Sequence, residues 1–220
     1  MSFIPIAGTD YIDIARRRLT GEIAELTWPQ QFRDLLRPHL RPGMVVADFG
    51  CSTGYAYTSL AEFDIRYIGI DFEPAYLAIG RDYFADNPNV SFRQHDVAAE
   101  PIGLRADAVI CSAMLEHCPA LEPALTNMAN VADRLFLLRT FMGAEGIIES
   151  YVAPVEGNDE GAMKFSNVYA YDVLLRRLSD LGFDARVIAD RFTGSESRNV
   201  QGRNRALHIL LAERASRRHA

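Results

Sequence analysis

Short apolar runs alternate along this chain with longer stretches in which apolar residues recur every three or four positions, as when strands alternate with amphipathic helices. Residues 44–49 are apolar on both faces, as a central parallel strand requires, and 67–71, 90–94, 107–112 and 133–141 also read as strands. Helical stretches fall between them at 55–63, 74–84 and 121–131. Pro74 suits a first helical turn, and Asn87-Pro88 stops the helix that Pro74 opens. Residues 168–181 read as a further helix with Gly182 as its stop, and strands at 184–190 and 206–212 close the sheet as an antiparallel hairpin. Upstream, Asp10 caps a helical segment carrying Ile12, Ile14, Leu19, Ile23 and Leu26; Trp28-Pro29 breaks it before Phe32, Leu35 and Leu36 resume the spacing. Residues 142–164 lose the pattern and collapse into Gly, Glu, Asp, Pro and Asn, a long loop expected to bind substrate. The sum is an α/β chain with a doubly wound, Rossmann-like, mostly parallel sheet.

Composition narrows the class. A length of 220 residues allows one domain over 1–220, with 1–40 as a helical cap, 142–167 as the substrate loop and 214–220 as a frayed tail. Hydrophobic content of 49% beside 24% charged residues is ordinary for a globular chain, and no apolar stretch approaches the roughly 20 residues of a membrane span. The first residues lack a secretory pattern, so a cytoplasmic protein with no membrane partner is expected. Cys51, Cys111 and Cys118 are odd in number and lack C-x-x-C spacing, which argues against a disulfide framework and against zinc; no metal is expected. A net charge of -6 leaves no broad footprint for nucleic acid. The basic clusters Arg16-Arg17-Arg18 and 214–219 read as a solvated helix face and a tail.

The candidate chemistry begins where the first strand ends. MVVADFGCSTG runs from an apolar strand into a turn at Gly50 and Gly54, and RYIGID ends the next strand in an acid able to accept hydrogen bonds from two ribose hydroxyls. A dinucleotide site wants G-x-G-x-x-G with a pyrophosphate on the helix N-terminus. Here Ser52 replaces the second glycine, Tyr55 follows Gly54, and Asp48 places a negative charge two residues before the turn.

The run Asp48-Phe49-Gly50-Cys51-Ser52-Thr53-Gly54 resembles the D-x-G-x-G-x-G motif of the class I S-adenosylmethionine-dependent methyltransferases. Gly69-Ile70-Asp71, Gln94-His95-Asp96-Val97 and Ala106-Asp107-Ala108-Val109-Ile110-Cys111-Ser112 are similar to that family's next three segments, and Leu115-Glu116-His117 to the L-E-H many small-molecule members carry; the match spans residues 45–141. The resemblance implies the seven-stranded fold of that family, S-adenosyl-L-methionine as cofactor and S-adenosyl-L-homocysteine as product. It implies cofactor contacts from Asp48, Gly50, Cys51, Ser52, Thr53, Gly54 and Tyr55, a ribose bond to Asp71 beside Phe72, adenine contacts from Asp96 and Val97, and a place for Ser112 at the site. The departure is Ser52, where the family keeps a glycine; serine is the mildest replacement, because its hydroxyl can bond local amides.

The expected activity is methyl transfer to an O or N atom of a small-molecule acceptor. Ser112-Ala113-Met114-Leu115 is not the N/D/S-P-P-Y/F segment of exocyclic-amine methylation of nucleic acid, and no Pro-Cys nucleophile occurs, so no nucleic-acid substrate is expected. His117 is the candidate base, with Glu116 as its orienter or as an alternative base; a histidine bonded to backbone is the bland alternative. Tyr11 and Tyr151 are candidates for the acceptor pocket, with core packing as the alternative. Asp71 could instead be a strand-end cap, and Asp96 a turn acid. A cofactor-binding domain without catalysis and a nicotinamide-dependent oxidoreductase are the competing readings, and a homodimer is left open.

Overall fold

The computed structural model describes residues 10–24, 26–155, 158–200 and 203–215; the expected tail beyond 215 and the first nine residues lie outside them. Helices α1 (Tyr11–Leu19) and α2 (Trp28–Leu36) precede the sheet. Asp10 caps α1 as expected, its carboxylate accepting the Asp13 N–H at 2.8 Å, and Pro29 sits in the first turn of α2, where its missing N–H costs nothing. Trp28-Pro29 therefore opens a helix rather than only breaking one.

Strands β1 (Val45–Phe49), β2 (Arg66–Asp71), β3 (Val90–Gln94), β4 (Ala106–Ser112) and β5 (Ala132–Gly143) form the parallel part of the sheet, ordered β3-β2-β1-β4-β5. Helices α3 (Ala56–Leu60), α4 (Pro74–Tyr83) and α5 (Ala124–Val131) connect them. α3 ends early and continues as a 3-10 turn over Ala61–Phe63, and α5 starts at Ala124, three residues later than the periodicity predicts. Pro123 accounts for that delay, because the residue before a proline is pushed out of helical geometry.

Beyond β5 the chain departs from expectation. The stretch read as a loop folds into an antiparallel hairpin, β6 (Ser150–Val155) with β7 (Asn158–Phe165), in the register Tyr151 to Lys164 and Val152 to Met163. It was hard to read because apolar residues paired across it face solvent: Val152 and Met163 are 63% and 66% exposed, which blurs the alternation expected of strands. The register slips between Ala153 and Val155, around Pro154, which has no N–H for the ladder. β8 (Tyr169–Ala170) then pairs in parallel with Met142 and Gly143, so α6 (Tyr171–Asp180) starts later than predicted.

β9 (Phe183–Ala189) and β11 (Arg203–Arg214) are antiparallel, as expected, and β11 runs antiparallel along β5. A short β10 (Arg198–Val200), unforeseen in a polar stretch, pairs with the start of β11. Two buried clusters cover the two faces of the sheet. One packs Leu125, Met128, Leu174 and Leu178 of α5 and α6 onto Phe49, Val109, Phe136 and Leu138. The other packs Trp28, Phe32, Leu36 and Leu60 of α2 and α3 onto Val46, Ile110, Leu135 and Leu137.

Candidate functional site

All five parallel strands point their carboxyl ends at one edge, where open α/β sheets bind ligands. There the turn after β1 is held tightly. The N–H groups of Gly50 and Cys51 both donate to the Ile70 carbonyl, at 2.8 and 3.2 Å, and Gly54 N–H donates to Cys51 O at 2.8 Å. Gly50 and Gly54 have φ of +72° and +78°, and a Cβ on either would come within 2.7 Å of Met114 carbons or of the Phe92 ring. Conformation and space both demand glycine at these two positions.

Ser52, between them, has φ +53°, the left-handed backbone that a glycine adopts freely. Its N–H donates to Asp71 Oδ2 at 2.9 Å, while Asp71 Oδ1 accepts the Glu73 N–H at 3.0 Å. Asp71 therefore clamps the turn to the end of β2 and opens the segment into α4. Burial raises its pKa, with the bonds from the Glu73 and Ser52 amides opposing the rise. A carboxylate offers about four lone-pair sites, so these amide bonds do not exhaust its capacity to accept from a ligand.

A cavity opens beside this clamp. Its walls are Phe49, Ile70 and Met114 on the apolar side, with Gly50, Asp71 and Phe72 at the turn and His95, Asp96, Val97 and Ala98 after β3; His117 and Cys118 close it. Six predicted residues thus meet at one hollow: Gly50, Asp71, Phe72, Asp96, Val97 and His117. Asp96 Oδ1 accepts the Ala98 N–H at 3.0 Å, shaping the bend after β3. Cys118 was expected as a free thiol near the pocket, whereas Phe49, Ile70, His95, Ala98 and Met114 were not singled out as ligand-facing. The sequence signal for them was their place at or just beyond the ends of parallel strands.

Other predicted residues take different places. Asp48 lies behind the turn, 2% exposed, where its Oδ2 accepts the Tyr67 hydroxyl at 2.5 Å. Burial pushes its pKa up to about 7, against the opposing Tyr67 bond and with help from the Asp71 charge. Cys51 and Thr53 are buried, and the Thr53 hydroxyl has no partner among the described residues. Tyr55 accepts the Trp28 Nε1–H at 2.8 Å. Ser112 lies on the other face of the sheet from the α5–α6 cluster, its hydroxyl 3.4 Å from Arg139 Nη1. Tyr11 sits half-buried on α1 and is not among the cavity walls. Tyr151 lies on β6, away from the cavity walls.

The pair expected to do acid–base chemistry separates. Glu116 is 1% exposed and accepts the Thr140 hydroxyl at 2.8 Å, so it does not take the orienting place expected of it. His117 instead bonds through Nδ1 to the Phe165 carbonyl of β7 at 3.0 Å. A carbonyl only accepts, so in the neutral ring Nδ1 carries the hydrogen and Nε2 keeps the lone pair. The hairpin missed in the sequence is what fixes this tautomer.

The site suits an adenosine with a positively charged tail. Gly50 leaves bare backbone at the wall, Phe72 and Val97 supply apolar surface, and Asp71 supplies free acceptor positions for a sugar diol. No group of three or more His, Cys, Asp or Glu side chains able to hold a metal occurs among the described residues, and no helix there is long and apolar enough to cross a membrane.

Comparison with known proteins agrees. Residues 46–134 match the model of a methyltransferase domain family. Over 87 residues the chain is 37% identical to a ubiquinone biosynthesis O-methyltransferase of Acinetobacter baumannii, a match covering 37% of this chain and 35% of that protein. The match thus spans about a third of the length of the curated relatives. Among solved structures, the magnesium protoporphyrin IX methyltransferase of Synechocystis with bound S-adenosylhomocysteine superposes with a TM-score of 0.57 at 20% identity, over 96% of this chain and 90% of that one. An S-adenosylmethionine-dependent methyltransferase of Clostridium acetobutylicum reaches a TM-score of 0.64 at 10% identity, over 94% and 98% of the two chains. Residues 46–134 thus resemble a methyltransferase domain, and the chain, with its strand order and its glycine turn clamped by Asp71, shares the fold of solved S-adenosylmethionine-dependent methyltransferases.

Proposed function

We propose that this chain is an enzyme transferring the methyl group of S-adenosylmethionine to an oxygen or nitrogen atom of a small-molecule acceptor. The observation that carries the reading is the clamp of Asp71 on the glycine turn beside an apolar-walled cavity. The name of the matched Acinetobacter relative, an O-methyltransferase of ubiquinone biosynthesis, supports a small-molecule acceptor.

The cofactor supplies a methyl group already activated on sulfonium, so the protein's part is to bind, orient and handle a proton. In this reading Asp71 holds the ribose diol with its remaining acceptor capacity, Phe72 and Val97 flank the adenine, and Asp96 faces its edge. The turn 50–54 cradles the methionine end, with Cys51, Ser52 and Thr53 contributing mainly backbone. Asp48, held by Tyr67, supports the turn from behind. His117 is the base, its Nε2 free to take a proton from an acceptor hydroxyl or ammonium while the Phe165 carbonyl fixes the ring. Tyr11 and Tyr151 border the acceptor from α1 and the hairpin.

Titration calorimetry with S-adenosylhomocysteine tests the binding half. Asp71→Ala should weaken affinity ten- to a hundredfold, the equivalent of about 1.5–3 kcal/mol for charge-assisted bonds. Equal affinity removes Asp71 from the site, and a thermal shift given by NADH in place of S-adenosylhomocysteine turns the reading toward an oxidoreductase. His117→Ala should leave that affinity unchanged and lower kcat on a panel of hydroxyl and amine acceptors; unchanged kcat leaves catalysis to positioning alone.

A further inference from the structure

The triple arginine of α1 divides in a way its sequence does not show. Arg16 pairs with Asp13 at 2.9 Å and Glu22 at 2.8 Å, and Arg17 lies 3.5 Å from Glu22 and 3.9 Å from Asp13. Both belong to the solvated face. Arg18 turns inward: its guanidinium stands 5.8 Å from the centroid of the Tyr55 ring, and its Nε is enclosed with no hydrogen-bond partner. Among the described residues no carboxylate pairs with it. Arg18 is thus a half-buried cation whose Nε is shielded from solvent without a hydrogen-bond acceptor, so an acceptor brought by a ligand would complete it.

Its location says which ligand. Tyr55 follows the glycine turn directly, and its hydroxyl is fixed by Trp28. Arg18 therefore stands over the far end of the turn, on the sheet face that carries Ser112 and Arg139, while the cavity with Asp71 and Asp96 lies toward the other end. The second arginine on that face, Arg139, is already neutralised by Asp190, through bonds of 2.9 and 3.2 Å. Of these two, Arg18 is the one whose charge no described carboxylate neutralises, and it stands beside the aromatic surfaces of Tyr55 and Trp28.

We propose that Arg18 anchors an oxyanion, a carboxylate or a phosphate, carried by the methyl acceptor, with the adjoining part of the acceptor lying on the Tyr55 and Trp28 rings. This deepens the methyltransferase reading and rests on it for the identity of the bound molecule as acceptor. The guanidinium fork gives such a group two parallel N–H donors, and the ring beneath favours the cation while it waits unliganded.

The test uses benzoate and phenyl phosphate as probes, with benzamide as the neutral control, titrated calorimetrically into the full-length protein with and without saturating S-adenosylhomocysteine. Wild type should bind at least one of the anions and not benzamide, and the preferred anion distinguishes carboxylate from phosphate. Arg18→Gln should weaken that anion ten- to a hundredfold, Arg18→Lys less, and Arg17→Gln, which removes the same charge from the outer face of the helix, not at all. S-adenosylhomocysteine affinity should be equal in all four proteins. Equal anion affinity in wild type and Arg18→Gln, equal weakening by Arg17→Gln, binding of benzamide as tight as benzoate, or no anion binding by wild type overturns the proposal. Should S-adenosylhomocysteine fail to bind while the anions depend on Arg18, the methyl-transfer reading falls and the oxyanion site stands.

Discussion

At the carboxyl end of β1, Asp48 is enclosed with a tyrosine hydroxyl as its hydrogen-bond partner, and its pKa rises to about 7. Across the sheet, Asp190 is equally enclosed just past the end of β9, yet its pKa falls: burial raises it, but Arg139 and the Thr193 amide and hydroxyl more than offset that. The same side chain in two buried settings thus ionises in opposite directions. A full countercharge decides between them, and a single hydroxyl is not a substitute for one. The region around the glycine turn holds an acid ready to give up its charge, whereas the region where β5 meets the end of β9 is held together by an ion pair.

The comparison can be broken at its stronger end first. Arg139→Met leaves Asp190 charged and buried with only Thr193 to serve it, and should destabilise the protein by about 3–5 kcal/mol in urea unfolding. A loss below about 1 kcal/mol would mean that water reaches the pair.

The opposite acid gives a pH signature. Asp48 binds its proton more tightly folded than unfolded, so its contribution is intact below an unfolded value near 3.8 and is lost as pH rises through the folded value near 7. Relative to Asp48→Asn, which cannot titrate, wild type should lose stability on the order of a few kcal/mol between those limits. Thermal unfolding of both proteins at a series of pH values checks it, and a constant difference between them would mean that Asp48 stays ionised.

The smallest expected effect lies at Ser52. Its left-handed backbone costs about 1–2 kcal/mol, and a glycine there gives back roughly 0.5–1 kcal/mol through its freer unfolded chain. Ser52→Gly should therefore gain about 0.5–1 kcal/mol and raise Tm by a few degrees, with the bond to Asp71 kept because it uses the backbone N–H. A drop in Tm would show that the serine hydroxyl contributes to the turn.

The parallel strands were legible because burial on both faces leaves a dense apolar run, and the turn because Gly50 and Gly54 have no alternative in conformation or space. The hairpin β6–β7 was not, since Val152 and Met163, paired across it, face solvent, and what holds it is backbone pairing together with anchoring at its base. There Arg205 bonds both Glu149 and Ser166, and Asn167 donates to the Cys118 carbonyl. The partner of His117 was hidden with it: Glu116 is adjacent in sequence, but Phe165 is the neighbour in space.

By itself, the order of residues determined the alternation of strand and helix, the glycine turn, and the acid that ends β2, because each depends on periodicity or on backbone geometry that only certain side chains permit. Which charges are paired was decided only by the tertiary structure. Arg16, Arg17 and Arg18 are identical in type and adjacent in the chain, and three-dimensional packing alone gives two of them carboxylates and turns the third onto the Tyr55 ring. Coulomb energy and desolvation depend on distance through the folded molecule, and separation along the chain carries almost none of that information.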